Sequence, residues 1–349
     1  MPLADKPLSR DRFQFYDSLS KKEIKKLISN SEIQVLQTST PVDINTWNLI
    51  NQQLLLKRPD IEIRIYGHYS QNCDLSFLEN LPNVRCLSVD CLINASNIEA
   101  IASLEQLRTL SVGVYSLESF DFLAYLPITL KKLFLGSTKS KKPSLEHIYR
   151  FSEIEELYIE GQQKNIEVIG KLSKLQKLVL RSVSPKNISF INELKELWSL
   201  DIKLGGITDI SHLKGLSNLK YLELWQIRGI SDISVISTLT GLQYLFLQSL
   251  RNVVELPDMS KLYNLRRVYM ETMKGLANVD GVFNAPNLEE FIHVCAQNMS
   301  PIQYQPLMKH ESLKRALFGF GSDKKNDEML RIMKENHIGE YKHTPFVYS

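Results

Sequence analysis

The amino-acid sequence predicts an α/β solenoid, in which short repeated units stack to build a parallel β-sheet. Apolar residues recur as L-x-x-L-x-L, for example in LKYLEL from Leu219 and LQYLFL from Leu242, and successive patterns start 21 to 25 residues apart. The fourth and sixth positions lie two apart, so in a strand they point to the same side. A second apolar series follows, as in Ile207, Ile210 and Leu213. One unit cannot bury these side chains alone, but stacked units can.

About twelve such units are expected over residues 60–325. Each unit begins with a strand, and the units are too short for a long helix after it, so short helical turns and irregular segments are expected on the opposite side. The expected strands start at or near Asp60, Val84, Leu107, Leu130, Ile154, Leu175, Leu197, Leu219, Leu242, Leu265, Leu288 and Leu313.

Residues 1–59 are expected to cap the first exposed apolar face of the array. Helical spacing of apolar residues predicts a helix at 20–29 and a second helix at 42–59. The segment IQVLQ at 33–37 is expected to form a short strand between them. Asp43 is a candidate N-cap for the second helix. That helix would join the strand to the first repeat as a parallel crossover.

Residues 326–349 are expected to form a C-terminal helical cap and tail. The segment 341–349, YKHTPFVYS, is a candidate last edge strand. The helix has an expected apolar side made of Met329, Leu330, Ile332 and Met333.

The repeated pattern resembles that of the leucine-rich-repeat family, and segments such as ITDISHLKGLSN are similar to the short repeats of bacterial internalins and of phosphatase-1 regulatory subunits. The resemblance covers about three quarters of the chain. It implies a curved horseshoe with the parallel sheet on its concave face and short helical or irregular convex segments.

The chain departs from this family at one position of the repeat. Many members carry Asn or Cys two residues after the strand, where the side chain satisfies buried backbone groups. Here backbone groups or water are expected to satisfy those turns instead. The equivalent positions hold Leu92, Tyr115, Thr138, Gln162, Val183, Gly205, Ile227, Leu250 and Met273.

The charge balance argues against nucleic-acid and membrane partners. The sequence has 42 basic and 39 acidic side chains and a formal net charge of +3, which is too small to gather phosphates or an acidic membrane surface. The N-terminus lacks the apolar core of a secretory signal. The four cysteines, Cys73, Cys86, Cys91 and Cys295, form no C-x-x-C pair. They are expected to be reduced thiols, and a cytoplasmic location is expected.

The sequence carries no recognisable catalytic motif. It lacks the P-loop, dinucleotide, H-E-x-x-H and G-x-S-x-G patterns, and no two of its seven histidines lie within four residues of each other. His293 falls on an inward position, where a shift of register that places Ile292 and Val294 in the core is expected. The sequence therefore predicts a non-enzymatic protein with neither cofactor nor metal.

Aromatic side chains recur at the outward positions of neighbouring predicted strands, which lie about 4.8 Å apart. We expect them to face water and to form one patch, because aromatic residues and arginine among a few charges are typical of interaction hot spots. The candidate binding residues on the concave face are Tyr221, Glu223, Trp225, Tyr244, Phe246, Arg267, Tyr269 and Glu271. A secondary patch consists of Phe134, Glu156 and Tyr158.

These observations predict a cytoplasmic scaffold that binds an unidentified protein through its concave face. Two alternatives stay open. The protein could be the regulatory subunit of a catalytic partner, or a carbohydrate- or small-ligand-binding solenoid in which Trp225 and Tyr244 stack on sugar rings. The aromatic residues could also pair across strands and only stiffen the sheet.

Overall fold

A computed structural model describes residues 11–67 and 71–349. The chain divides into two compact units, the first ending at Val168 and the second spanning Ile169–Ser349. Residues 1–10 of the expected N-terminal cap lie outside the described residues.

The first unit is built on parallel strands, as the repeat pattern predicts. Its strands are β1 (Arg12–Gln14), β2 (Val35–Thr38), β3 (Glu62–Tyr66), β4 (Asn72–Asp74), β5 (Cys86–Leu92), β6 (Asn94–Ser96), β7 (Thr109–Val114), β8 (Lys132–Leu135) and β9 (Glu156–Glu160). The sheet has the order β1-β2-β3-β5-β7-β8-β9, and β4 pairs separately with β6. Strand β1, at the edge, is an addition that the sequence pattern does not predict.

Two helices precede the repeats. Helix α1 (Lys21–Ser29) begins at Ser20, which forms a capping box with Glu23. Helix α2 (Ile44–Leu49) begins at Asp43, whose carboxylate accepts the Asn45 amide at 2.8 Å, and it continues as a π-helix over Ile50–Leu55. As expected, this helix connects the parallel pair β2 and β3. Short 3₁₀ segments follow at Ser76–Asn80, Ile98–Ser103, Asp121–Tyr125, Glu146–Arg150 and Ile166–Lys171.

The second unit continues the same pattern. Its strands are β10 (Lys177–Arg181), β11 (Ser199–Lys203), β12 (Tyr221–Trp225), β13 (Tyr244–Gln248), β14 (Arg267–Glu271), β15 (Glu290–Val294), β16 (Arg315–Phe318) and β17 (Gly339–Glu340), which pair in chain order. The helical segments are Ser189–Glu193, Ser211–Leu213, Ser234–Thr238, α3 (Asp280–Phe283), Pro301–Tyr304, α4 (Gln305–Met308) and α5 (Asp323–Glu335). The short helical turns expected after the strands are therefore confirmed.

Helix α5 buries Met329, Ile332 and Met333, but Leu330 is 46% exposed. Its expected place on the apolar side is wrong. A neighbouring residue in a helix lies about 100° around the axis, so Leu330 turns away from the surface that Met329 contacts.

Strand register separates the core from the opposite face. Leu222 pairs with Leu245 and Leu224 with Leu247, and all four side chains are fully buried. Successive side chains alternate, so Tyr221 and its equivalents lie on the other side of the sheet. We call that side of β11 to β15 the aromatic face.

Backbone hydrogen bonds close the turns after β10 to β14, as expected in the absence of the polar ladder. The first residue after the strand has a left-handed conformation, and its N–H donates to the last strand residue of the next repeat, as from Gln226 to Gln248 at 2.8 Å and from Ser249 to Glu271 at 3.0 Å. This conformation costs a residue with a Cβ about 1 kcal/mol, which the hydrogen bond offsets. The left-handed residues after β10 to β15 are Ser182, Leu204, Gln226, Ser249, Thr272 and Cys295.

An asparagine ladder is present elsewhere in the repeat, one residue before the first leucine. Each side-chain amide donates to a backbone carbonyl of the preceding repeat at 2.8 Å. These hydrogen bonds connect neighbouring repeats on the N-terminal side of the strands. The donors are Asn218, Asn264 and Asn287.

His293 lies in the core, and the expected shift of register is wrong. It pairs with Met270, is fully buried, and places Nδ1 2.6 Å from the hydroxyl of Tyr304. This polar partner allows the imidazole to occupy an inward position without the strand shifting. Burial lowers the pKa of His293 to about 4.

We expect His293 to make folding pH-dependent. His293 is protonated near pH 6.5 in the unfolded chain but only near pH 4 in the folded chain. The free energy of unfolding therefore decreases as the pH drops through this range. Between pH 7 and pH 5 the native protein should lose about 2 kcal/mol more than a His293→Met variant. Urea unfolding at both pH values measures the difference, and equal losses would contradict the assignment.

Candidate functional site

Strand register places the predicted binding residues together on the aromatic face, in three rows that cross the strands. The first row is Tyr221, Tyr244 and Arg267; the second is Glu223, Phe246 and Tyr269; the third is Trp225, Gln248 and Glu271. Aromatic neighbours in a row contact each other, since the Tyr221 and Tyr244 rings lie 5.1 Å apart and the Phe246 and Tyr269 rings stack at 5.1 Å.

The expectation that the whole patch faces water is wrong. Trp225, Tyr244, Tyr269 and Glu271 are half-buried. The buried members are Tyr221 (5% exposed), Glu223 (2%), Phe246 (7%) and Arg267 (4%). Two features account for much of this burial, namely the C-terminal segment of the chain and a set of ion pairs between strands.

Residues 341–349, which we call the C-terminal tail, run along the first row of the aromatic face. The expectation of an edge strand over 341–349 is wrong, because the last strand, β17, ends at Glu340 and the tail beyond it is not part of the sheet. The Phe346 ring lies 5.3 Å from the Tyr244 ring. The Tyr348 ring lies 5.2 Å from Trp198 and 6.4 Å from Tyr221. The tail therefore packs its aromatic side chains on those of the sheet.

Two arginines bind the middle of the tail through its backbone. Arg267 Nη1 donates to the carbonyl oxygen of Thr344 at 3.2 Å, and Arg266 Nη2 donates to that of Val347 at 2.6 Å. The Arg266 guanidinium also lies 4.7 Å from the centre of the Phe346 ring. Hydrogen bonding and cation–π attraction thus act on the same segment.

The end of the tail is bound by the repeats that begin at Leu219 and Leu242. Lys220 Nζ donates to the carbonyl oxygen of Ser349 at 2.5 Å. The Gln243 amide donates to the same oxygen at 3.1 Å and accepts the Ser349 N–H at 3.0 Å. Like the arginine contacts, these bonds reach main-chain atoms of the tail.

The tail's own sequence favours this extended path. Pro345 has no N–H and disfavours a helical conformation at Thr344. Phe346 and Tyr348 are two residues apart, so they point to the same side of an extended chain, while Val347 between them is 75% exposed.

A buried charge cluster joins β11 and β12. Lys203 Nζ lies 3.0 Å from Asp201 Oδ2 and 3.1 Å from Glu223 Oε1. The Tyr221 hydroxyl donates to Glu223 Oε2 at 2.7 Å. Burial, with the charge of Glu223, raises the pKa of Asp201, and burial raises the pKa of Tyr221, so that this phenol keeps its proton. The cluster satisfies charges that would be costly if buried alone.

Arg267 is enclosed by the tail and by the sheet. It is ion-paired with Glu290, and its guanidinium carbon lies 5.3 Å from the centre of the Tyr244 ring. The tail adds the rings of Tyr341 and Phe346 at 5.2 and 5.0 Å. An arginine that was expected to be an exposed anchor therefore lies in a cage that the chain itself completes.

Sequence reasoning missed four of the residues that contact the tail. Each occupies the second position of its L-x-x-L-x-L pattern, just before a strand, and this column of large polar or aromatic residues was a usable signal. The residues are Trp198, Lys220, Gln243 and Arg266.

The secondary patch lies in the first unit and is half-buried. The rings of Phe134 and Tyr158 lie 6.4 Å apart. Glu156 Oε1 accepts Lys132 Nζ at 3.0 Å, and the Tyr158 hydroxyl donates to Glu160 at 2.9 Å. The polar groups of Glu156 and Tyr158 are therefore engaged by residues of β8 and β9.

Over residues 11–67 and 71–349, no group of three or more His, Cys, Asp or Glu side chains is arranged to hold a metal ion. None of the helices in this part of the chain has both the length and the apolar character needed to cross a membrane.

No protein-family model matches the sequence, and no curated protein matches it. Among solved structures, the internalin InlF of Listeria monocytogenes is similar over 82% of this chain and 80% of its own, with 21% sequence identity and a TM-score of 0.59. Internalin C2 of the same species matches 63% of this chain and 83% of its own, at 21% identity and a TM-score of 0.42. A leucine-rich-repeat protein of Leptospira interrogans matches 94% and 93%, at 15% identity and a TM-score of 0.47.

The similarity to InlF, together with the parallel strands in register, shows that the chain has the leucine-rich-repeat fold. The resemblance found in the sequence is thereby confirmed at the level of the fold. Solenoids of this class present extended sheet faces as binding surfaces.

We expect the rings of the tail to decide whether it stays bound. Ordering the backbone costs about 1–2 kcal/mol per residue, whereas a hydrogen bond returns about 1 kcal/mol. The five hydrogen bonds between side chains of the sheet region and the tail backbone therefore cannot order it without Phe346 and Tyr348. Replacing both rings by alanine should raise amide hydrogen exchange over 341–349 at least tenfold and leave α5 unchanged.

Val347→Ala is the matched control, because this side chain is exposed. Exchange over the tail should stay at the native rate in that variant. Unchanged exchange in the Phe346→Ala, Tyr348→Ala double variant would show that the rings do not hold the tail.

Proposed function

We propose that this protein is a scaffold that binds another protein on the aromatic face of its second unit. The fold supports this role, since leucine-rich-repeat solenoids present such faces. The observation that carries the proposal is that the face already accommodates an extended peptide, the C-terminal tail, through ring contacts and hydrogen bonds.

The chemistry of these contacts favours a peptide over a sugar. Lys220, Arg266 and Arg267 donate to peptide carbonyl oxygens, and the Gln243 side chain both donates to and accepts from the backbone of Ser349. This paired donor and acceptor matches an amide backbone. Tyr244, one of the two rings that could stack on a sugar, packs on the ring of Phe346 instead.

The charges of the face argue against nucleic acid. Lys203 is balanced by Asp201 and Glu223, and Arg267 is balanced by Glu290. These pairs leave Lys203 and Arg267 without the unbalanced positive charge that binds phosphates.

The proposal includes a cytoplasmic location. Cys91 and Cys295 are exposed and free, a state that a reducing compartment maintains. We expect a membrane-impermeant thiol reagent to label them in lysed cells only. Labelling of intact cells would place the protein outside.

Substitution of half-exposed side chains tests whether the partner binds the aromatic face, because removing them leaves the core intact. Trp225 and Tyr269 are half-exposed on the aromatic face, and replacing both with alanine should remove most of the hot-spot energy, which is typically 2 kcal/mol or more per anchor. Quantitative affinity capture from the source cells should then recover at least tenfold less of the partner. Circular dichroism and thermal melting check that the fold is kept.

Tyr263→Ala combined with Tyr125→Ala is the matched control, because both tyrosines are exposed and lie outside the strands. The control should retain the partner. Equal capture by the Trp225→Ala, Tyr269→Ala variant would show that the partner does not use this face.

A further inference from the structure

The first row of the aromatic face is occupied by the chain's own tail. Building on the proposed function, we propose that the tail is an intramolecular competitor, and that the partner enters as an extended segment with two aromatic residues in an aromatic–x–aromatic pattern, which replace Phe346 and Tyr348.

The tail is held as a ligand and not as a further strand. The last strand, β17, pairs through its backbone with Arg315 and Ala316 of β16. Beyond Tyr341, the tail instead runs across the N-terminal ends of β14, β13 and β12. Side chains at these ends supply its hydrogen bonds. A segment held by side chains can leave without breaking the ladder of the sheet.

The backbone contacts of the tail are open to other sequences. Arg267, Arg266 and Lys220 donate to carbonyl oxygens that every peptide carries, at positions Thr344, Val347 and Ser349 of the tail. The Gln243 amide pairs with the last of these residues in both directions. Any extended segment can therefore satisfy these groups in the same register.

Sequence selection comes from two aromatic positions. One ring packs on Tyr244 under the Arg266 guanidinium, and the other packs between Trp198 and Tyr221. The intervening position is Val347, which is exposed and tolerates any side chain. The surface thus fits an aromatic–x–aromatic segment.

The tail's exposure pattern makes it displaceable. Tyr341 is buried, but residues 342–345, 347 and 349 are exposed, and only Phe346 and Tyr348 are half-buried beyond Tyr341. Release of 342–349 would open Tyr244 and Tyr221 to a partner. Without a partner, the exposed rings favour the return of the tail.

The test uses the full-length chain and a labelled synthetic peptide with the tail sequence YKHTPFVYS. The peptide should bind the Phe346→Ala, Tyr348→Ala variant at least tenfold more tightly than the native protein, because the weakened tail competes less. A peptide with both aromatic positions changed, YKHTPAVAS, should bind neither protein. Fluorescence anisotropy measures all four combinations.

The binding site is checked by adding Tyr244→Ala to the weakened-tail variant. Tyr244 is half-exposed, and circular dichroism of the triple variant confirms that it folds; Arg266→Ala in place of Tyr244→Ala provides a second variant. Loss of peptide binding in either supports the proposal. Equal binding to native and weakened-tail proteins, no binding to either, or binding that ignores Tyr244 and Arg266 overturns it.

Failure of this inference is distinct from failure of the proposed function. If the peptide does not bind but Trp225→Ala with Tyr269→Ala abolishes capture of the partner, the face binds a partner and the tail is not its competitor. If the peptide binds as expected but that variant still captures the partner, the tail is displaceable and the partner binds elsewhere.

Discussion

The in-register pairing of parallel strands is the constraint on which the second unit depends. It keeps Leu222 and Leu224 in the core and holds Tyr221, Glu223 and Trp225 on the other side. A slip of one residue would exchange the two sets and would bury a carboxylate among leucines. Register is supported at both ends of β12, β14 and β15, by asparagine amides before the strand and by left-handed turns after it.

The same register decides how charges can be buried. Asp201 and Glu223 are direct neighbours in one row, and two carboxylates so placed repel each other in a medium of low dielectric constant. Lys203 lies within 3.1 Å of both and removes much of this cost. Lys203 comes from the same strand as Asp201, two residues away, and alternation brings both side chains to the same face. Between β14 and β15 the arrangement differs, because Arg267 and Glu290 are direct cross-strand neighbours and pair with each other.

The sequence predicts the strands, the core and the direction of the aromatic side chains because all three follow from a local period. It does not predict their burial, because the tail returns from far along the chain: Ser349 contacts Lys220, 129 residues away. Phe346 and Tyr348 have the spacing of a strand, so the expectation of an edge strand used a real signal. His293 was misjudged for a similar reason, since its partner Tyr304 lies outside the strand.

The proposed competition between the tail and a partner would change the affinity that the partner shows for this protein. A partner could bind only those molecules whose face is open. Its apparent dissociation constant would therefore equal the intrinsic constant divided by the open fraction. If the tail is closed in about 99 of 100 molecules, the apparent affinity falls about a hundredfold. The same closure hides an aromatic surface that would otherwise favour non-specific association. A segment that supplies both rings and the backbone recovers every contact that the tail gives up, whereas an isolated aromatic side chain recovers only one. The proposed competition with the tail would thus make this aromatic face selective for a paired aromatic pattern.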